Sequence, residues 1–411
     1  MERKSASPAE STRETTIRDL TRERAREQPL EGLLDRVWAI TPLVASRARE
    51  AERRRKPDDD VIEALEASGV FRSFVPGRFG GYEIGLDLFV DIGVAVSEAC
   101  PSTGWVTTFY MEHNWLLTLF SDELQEEVFG AAPFVLAPGS VNPKGGEATP
   151  KGDGYELTGH WQFGTGIVHA DRVLLNADIV TEPPGGSRLF LVRPEEVEVR
   201  DTWHVDGMVA TGSRDILATS LHVPEHYVSL AEPPGVTAGE DATYLMRLPV
   251  RPFLSLTAAI PALGAARRAV ELYRELVGKR VKFGTRRVQG QGAATQIRLA
   301  NALAEVRAAE TVLRAAARAM EAHARRQAEL SPLDLIELRL AIAHVVRDCR
   351  RVVWHVMEGS GASVHYLDHE LQRINRDVQM MSAHTVFDVD LVAEQCGRAR
   401  LESDAPLFPR S

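Results

Sequence analysis

The stretch RINRDVQMMSAHTVFD, Arg373 to Asp388, carries a lone histidine, His384, eight positions after Arg376 and seven after Asp377. Taken alone it has two readings: a packing residue on a late helix, or the base of an active site. The rest of the chain has to decide between them.

Upstream of it the pattern is helical. Leu335, Leu338, Ile342, Val345, Cys349, Val352 and Val356 step by three and four along one face, the spacing of a bundle helix. A second stripe, Leu299, Leu303, Val306, Leu313, Ala317 and Met320, is interrupted by Glu310, which the pattern does not explain. Between Pro133 and about Pro234 the texture changes to short alternating or apolar runs, KGDGYELTGHWQFGTG, RVLLNADIV, SRLFLVRP and DILATSLHVP, bounded by Gly, Pro, Asp and Asn. These read as strands and hairpins. Before them, from Leu33, helical spacing returns at Val37, Ile40 and Val44, with Pro42 expected to break the run in two. Arg53-Arg54-Arg55-Lys56 reads as cations ending one helix. Asp58 to Asp60 read as the cap of the next, which stops at Gly69. Helical, then β, then helical blocks predict an α+β architecture. The expected units are a disordered or loosely helical tail (1–32), an N-terminal helical domain (33–132), a central β domain (133–235) and a C-terminal helical bundle (236–411).

The 411 residues carry a net charge of -10 with cations and anions interspersed, so no basic stripe of the kind nucleic acid requires is present. Cys100, Cys349 and Cys396 are far apart and lack disulfide-framework or zinc spacing, which points to a reducing compartment, the cytoplasm. No apolar run reaches the roughly 18 to 20 residues of a membrane span. Walker A, His-Glu-x-x-His and Gly-x-Ser-x-Gly signatures are absent, and GSGASV (Gly359 to Val364) lacks the strand and third glycine of a dinucleotide site. The pairs His222/His226 and His365/His369 have no third ligand, so no metal is expected.

Three stretches keep a chemical reading beside a structural one. HWQFGTGIVHAD (His160 to Asp171) ends a strand and opens the backbone at Gly164-Thr165-Gly166, which suits a flat ring system, or is simply a Gly-rich turn. In ACPSTGWVTTFYMEHNWLLTLF (Ala99 to Phe120), His113 lies among Trp105, Phe109, Tyr110 and Trp115, placed to meet an aromatic substrate or to bond a core carbonyl. In GKRVKFG (Gly278 to Gly284), Arg280 beside Phe283 suits a pyrophosphate, or ends a helix as a solvated cation.

Taken together, four segments in order resemble the acyl-CoA dehydrogenase fold family from Leu33 onward: LEASGVFRSFVPGRFGGYEIG, GHWQFGTG, GKRVKFG and LQRINRD. The resemblance implies an N-terminal helical domain, a central β barrel-like domain and a C-terminal four-helix bundle, usually tetramerised through the bundles. Dehydrogenases of that family commonly carry a glutamate base just after the Arg-Asp pair. Here those positions hold His384 and Thr385, followed by Val386 and Phe387, and the carboxylate is missing. The chain is more similar to the branch of two-component flavin-dependent monooxygenases, through STGWV, HNWLLTLF, GSVNP, GTGIVHAD, DTWHVDGMVATGS (Asp201 to Ser213) and the histidine after Arg-Asp.

What that branch implies is specific. A separate NAD(P)H-dependent flavin reductase supplies reduced FAD or FMN, with FAD favoured by Arg280 and Phe283. Oxygen adds to give a C4a-hydroperoxide, which hydroxylates an aromatic or polycyclic small molecule. His384 matches the base or orienting histidine and His113 a substrate-pocket histidine. Ser140, Trp161, Gly164, Thr165 and Gly166 match flavin-contacting positions, with Thr165 near N5. Gly-Thr-Gly replaces the commoner Ser-Ser-Gly there. Arg376 and Asp377 match a helix-positioning pair. A homotetramer is implied. The rivals are an N- or S-oxygenase of the same branch, an acyl-CoA dehydrogenase, and a catalytically silent binding protein.

Overall fold

The computed structural model describes residues 16–141, 145–182, 185–230, 243–327 and 330–403. Asn142 and Pro143 of the GSVNP stretch, and the boundary expected at 235, lie outside the described residues.

Six helices form the first unit: α1 (Ile17–Glu27), α2 (Leu33–Arg54), α3 (Asp59–Ser68), α4 (Leu86–Ala99), α5 (Pro101–Leu116) and α6 (Asp122–Ala131). Two readings are settled in detail here. Of the two open for the tail, Ile17–Glu27 takes the helical one. Thr16 and Asp19 form a capping box at its start, and Arg72 closes its end by donating to the carbonyls of Ala25 (2.7 Å), Arg26 (3.1 Å) and Gln28 (2.8 Å). Its other anchors are Arg18 on Glu66 at 3.0 Å and Arg22 on Asp171 at 2.5 Å. The polar texture that reads as a tail is a set of ion-pair partners whose mates lie 48 and 149 residues away. Contrary to expectation, Pro42 does not split α2. Proline removes the N–H that would serve the carbonyl of Trp38, and the hydroxyl of Thr41 donates to that carbonyl instead, at 2.9 Å.

The middle of the chain is a seven-stranded mixed sheet of β1 (Gly139–Ser140), β2 (Gly146–Lys151), β3 (Gly154–Gly164), β4 (Val173–Ile179), β5 (Ser187–Val192), β6 (Glu198–Arg200) and β7 (Arg214–Pro224). The order is β1-β4-β2-β3-β7-β6, with β5 on β4. Antiparallel hairpin pairs β2/β3 and β4/β5 are joined by parallel contacts from β4 to β1 and β2. Strand β3 loses register against β7 between Trp161 and Gly164. A bulge of this kind re-aims side chains at the end of a strand.

The last unit packs α7 (Val250–Lys279), α8 (Ala293–Arg326), α9 (Pro332–Ser360) and α10 (Glu370–Ser382) into a bundle, with α11 (Val389–Leu401) on α9. Glu310, unexplained by its stripe, accepts from Arg314 at 2.8 Å and pairs with Arg267 at 3.4 Å. Those two arginines reach Asp91 at 2.6 Å and Glu98 at 2.6 Å on α4. Glu310 is therefore the hub that fastens the bundle to the N-terminal helices. One continuous core runs through both helical units, and a second lies within the sheet.

Candidate active site

Helix α5 is buried at every position except Phe109. Pro101 at its first turn supplies no N–H where none is needed, which starts the helix directly after α4. Trp105, Phe109 and His113 recur at four-residue spacing and so share one face. Trp105 and Phe109 stack with centroids 4.8 Å apart, and Phe109 meets the His113 ring edge-on at 5.8 Å. At the other end, His384 stands edge-on to Trp105 at 5.6 Å. The two histidines singled out from sequence thus bracket one aromatic stripe.

Their hydrogen bonds give them opposite polarity. His113 Nδ1 donates to the carbonyl of Ala137 at 2.6 Å, which leaves a lone pair on Nε2. His384 caps the turn Thr385–Phe387, its Nδ1 accepting from Val386 N–H at 3.4 Å, so its proton stays on Nε2. Burial pushes both imidazoles down to about 4, so both are neutral at physiological pH. His384 is consequently placed to donate to a substrate oxygen rather than to act as a strong base. Beside His113 in sequence, Glu112 faces Thr257 in the helical core, and burial holds its carboxyl well above the usual range.

The strand end at Gly159–Gly166 treats its two aromatics differently. Trp161 is fully buried in the sheet core. Its Nε1 donates to Asn176 O at 2.6 Å, and Gly145, Gly146 and Gly159 pack on its ring so closely that a Cβ on any of them would overlap it. It has no free face. The bulge turns out the next aromatic instead: Phe163 adopts φ of 65° and is 58% exposed, with Trp203 edge-on at 5.9 Å. Strand alternation puts residues 161 and 163 on one side, so the sequence did not distinguish them.

Gly164, Thr165 and Gly166 do lie together beside Phe163. Thr165 Oγ1 is 3.1 Å from Ser213 Oγ, which is 2.7 Å from Thr211 Oγ1, and Thr211 donates to Met208 O at 2.8 Å. Gly166 has φ of 72°, and its carbonyl accepts from Tyr110 of α5 at 2.5 Å. The segment holding Ser213 is fastened in turn by the Arg-Asp pair. Asp377 accepts from Met208 N–H at 2.7 Å and from Ser102 at 3.2 Å, while Arg376 donates to Asp206 O at 2.5 Å and pairs with Glu52. Burial pushes the Asp377 carboxyl up to about 6. Arg376 and Asp377 therefore position the loop against the helices.

Ser140 is half-buried on β1, registered beside Leu175. Arg280 and Phe283 are not brought to this loop by their own chain. Arg280 donates to Ser360 O and to Ser363 Oγ, and Phe283 is fully exposed. An out-turned aromatic ring next to a hydroxyl-bearing, Gly-flanked turn fits a flavin ring, which needs a flat surface and a polar edge. Among the described residues no three His, Cys, Asp or Glu side chains gather as a metal site, and no helix is long and apolar enough to cross a membrane.

Residues 256–389 match the family model for the acyl-CoA dehydrogenase C-terminal domain. A pigment production hydroxylase of Rhodococcus sp. (strain ATCC 21145) is 34% identical over 377 residues, covering 90% of this chain and 96% of that one. The oxygenase component of an FADH2-dependent resorcinol hydroxylase from Rhizobium sp. (strain MTP-10005) is 30% identical over 395 residues, 92% and 96% covered. This chain belongs to the flavin-dependent monooxygenase branch of the acyl-CoA dehydrogenase fold. Among solved structures, XiaF from Streptomyces sp. in complex with FADH2 and glycerol superposes on this monooxygenase with a TM-score of 0.85 at 28% identity, covering 96% of this chain and 100% of that one. The 3-HSA hydroxylase from Rhodococcus sp. RHA1 gives a TM-score of 0.85 at 26% identity, with 92% and 99% covered.

Proposed function

We propose that this monooxygenase hydroxylates an aromatic or polycyclic phenol with reduced flavin received from a separate NAD(P)H-dependent reductase. The observation that carries the reading is the stripe Trp105–Phe109, ended by His113 on one side and His384 on the other. Bound reduced flavin supplies the two electrons with which O2 is split between the substrate, as C–OH, and water.

The chain's own residues do the rest. Phe163 and the Gly164–Gly166 turn give the flavin ring a surface, with Thr165 at its polar edge and Ser140 on the neighbouring strand. Trp105 and Phe109 hold the substrate ring flat by stacking, an interaction worth about 1 kcal/mol beyond area burial. His384 Nε2–H donates to the substrate oxygen and His113 Nε2 accepts from a hydroxyl, so the substrate is oriented by two bonds of opposite sense. Because both rings are neutral, neither leaves an unpaired charge in the apolar site.

FAD, in a homotetramer, is the form of the assembly that uses Arg280 and Phe283. A fully exposed phenylalanine and a cation away from the Thr165 loop suit the cofactor tail held by a neighbouring copy, and exposed Ile297, Leu303 and Trp354 on the bundle suit the same contact. The free, buried cysteines support a cytoplasmic placement. The test is direct: the purified chain, reduced FAD and O2 hydroxylate a phenol with no pyridine nucleotide present, and an acyl-CoA does not reduce its bound flavin.

A further inference from the structure

The carbonyl that orients His113 belongs to a buried segment, Phe134 to Ala137, gripped by two side chains. Asn114 of α5 holds Val135 with both ends of its amide: Oδ1 accepts from Val135 N–H at 2.9 Å, and Nδ2 donates to Val135 O at 3.1 Å. Asp171 holds the next residue in the same way. Its Oδ2 accepts from Leu136 N–H at 2.8 Å, and its backbone N–H donates to Leu136 O at 2.8 Å. The carbonyl after that, Ala137 O, accepts from His113 Nδ1 at 2.6 Å. Pro138 follows and brings no N–H, so the Ala137–Pro138 peptide is fixed by what flanks it. Leu136 flanks it on one side, and Leu174 N–H, donating to Pro138 O at 2.9 Å, on the other.

Asp171 is itself held from α1. Arg22 Nη2 meets its Oδ2 at 2.5 Å and Arg18 Nη1 its Oδ1 at 2.9 Å, while both arginines also reach Glu66. The Arg22 guanidinium lies over the Phe134 ring, 5.2 Å from its centroid. Leu136 N–H, Arg22 and Arg18 together ask for acceptors on both side-chain oxygens, which a carboxylate supplies and an amide does not. The proton of a neutral imidazole goes to the nitrogen that faces an acceptor, and a backbone carbonyl can only accept. We infer that Asp171, clamped by Arg18 and Arg22 of α1, is a positioning residue that fixes the Ala137 carbonyl and thereby the tautomer of His113. Helix α1 then serves the substrate pocket without reaching it. The inference rests on the substrate-pocket reading of His113 and names what keeps its Nε2 an acceptor. Asn114 shares the task, but its Nδ2 also donates to Tyr110 O of its own helix at 2.8 Å, so Asp171 is the cleaner probe.

The experiment reads the histidine directly. The full chain is labelled with 15N-histidine, and His113→Phe identifies the His113 resonances. The parent shows Nδ1 protonated and Nε2 bare. Asp171→Asn and Asp171→Ala lower the ratio of this tautomer to the other about tenfold, the worth of one hydrogen bond. Arg22→Gln lowers it about threefold, and Arg22→Lys, which keeps a cation within reach of Asp171, restores it. Arg22→Gln serves as the second witness should the Asp171 variants unfold. Binding of 2-naphthol supplies an independent measure. Asp171→Asn raises its dissociation constant about three- to tenfold in the parent and less than twofold in His113→Phe, because both substitutions act on one bond. A tautomer ratio unchanged within twofold in folded Asp171→Asn or Arg22→Gln, or an equal loss of 2-naphthol binding in both backgrounds, overturns the positioning role. Failure of the parent to bind 2-naphthol counts against the phenol reading instead, and the tautomer ratio still decides the role of Asp171.

Discussion

Tyr110 donates its phenolic proton to the carbonyl of Gly166 at 2.5 Å, and a Cβ built on Gly166 would lie 2.6 Å from that same oxygen. One contact therefore ties α5 to the Gly164–Gly166 turn and forbids a side chain there. Gly166→Ala meets both this overlap and the left-handed φ of 72°. It is expected to cost roughly 1–3 kcal/mol of stability and at least tenfold in flavin affinity. Tyr110→Phe alone costs about 1 kcal/mol, and the double variant recovers only part of the alanine penalty, because the nearest clashing atom has gone while ring carbons at 2.8 and 3.0 Å remain. Urea unfolding and flavin titration of the four-member cycle measure this coupling.

His113 sets an acid limit on stability. Its folded value of about 4 lies below the ordinary 6.5, so the unfolded chain binds more protons between those two pH values. Stability then rises with pH across that window and is lost on acidification, by about 2–3 kcal/mol at pH 4.5 from this residue. His113→Phe removes the dependence. Unfolding free energies at pH 4.5 and 7 should differ less in the variant than in the parent.

Asp377 works in the opposite sense. Its carboxyl is pushed up to about 6, so the folded chain holds the extra proton between about 4 and 6 and loses stability as pH rises through that range. Asp377→Asn keeps an acceptor for Met208 N–H and an amide for the Ser102 hydroxyl, yet cannot ionise. Its stability is expected to climb more steeply with pH between 4 and 6 than the parent's, whereas Asp377→Ala loses roughly 2–4 kcal/mol by stranding both partners.

His384 is neutral throughout the working range, held down to about 4 by burial. Product yield per reduced flavin is therefore expected to show no inflection near 6.5. His384→Asn retains an N–H donor and keeps a tenth or more of the parent yield, while His384→Ala drops it further and diverts oxygen to hydrogen peroxide. Flavin affinity stays within twofold in both. Simultaneous assay of product and peroxide distinguishes this orienting role from a packing role, which would leave the ratio unmoved.

Much of this architecture was legible from local pattern. The bundle stripe through Ile342, Val345, Cys349 and Val352 is buried as its spacing requires. The i, i+4 recurrence of Trp105, Phe109 and His113 put three aromatic side chains on one helix face. What stayed hidden depends on partners distant in sequence or on backbone irregularity. The burial of Trp161 and exposure of Phe163 follow from a bulge and a positive φ, and alternation alone treats the two rings alike. The pairing of Thr165 with Ser213 spans 48 residues, so DTWHVDGMVATGS showed its hydroxyls without their partner. Order and disorder stayed open for helix α1 because its anchors, Arg72, Glu66 and Asp171, lie outside it.

The central claim is that reduced flavin, O2 and this chain suffice to hydroxylate an aromatic ring oriented by His384 and His113. Reduced FAD is mixed anaerobically with the protein and a panel of mono- to tetracyclic phenols, 18O2 is admitted, and the products are weighed by mass spectrometry. The account predicts one 18O atom in a hydroxylated phenol, with the yield lost in His384→Ala. Reoxidation of flavin to peroxide alone across the whole panel, or reduction of bound flavin by an acyl-CoA, would contradict it.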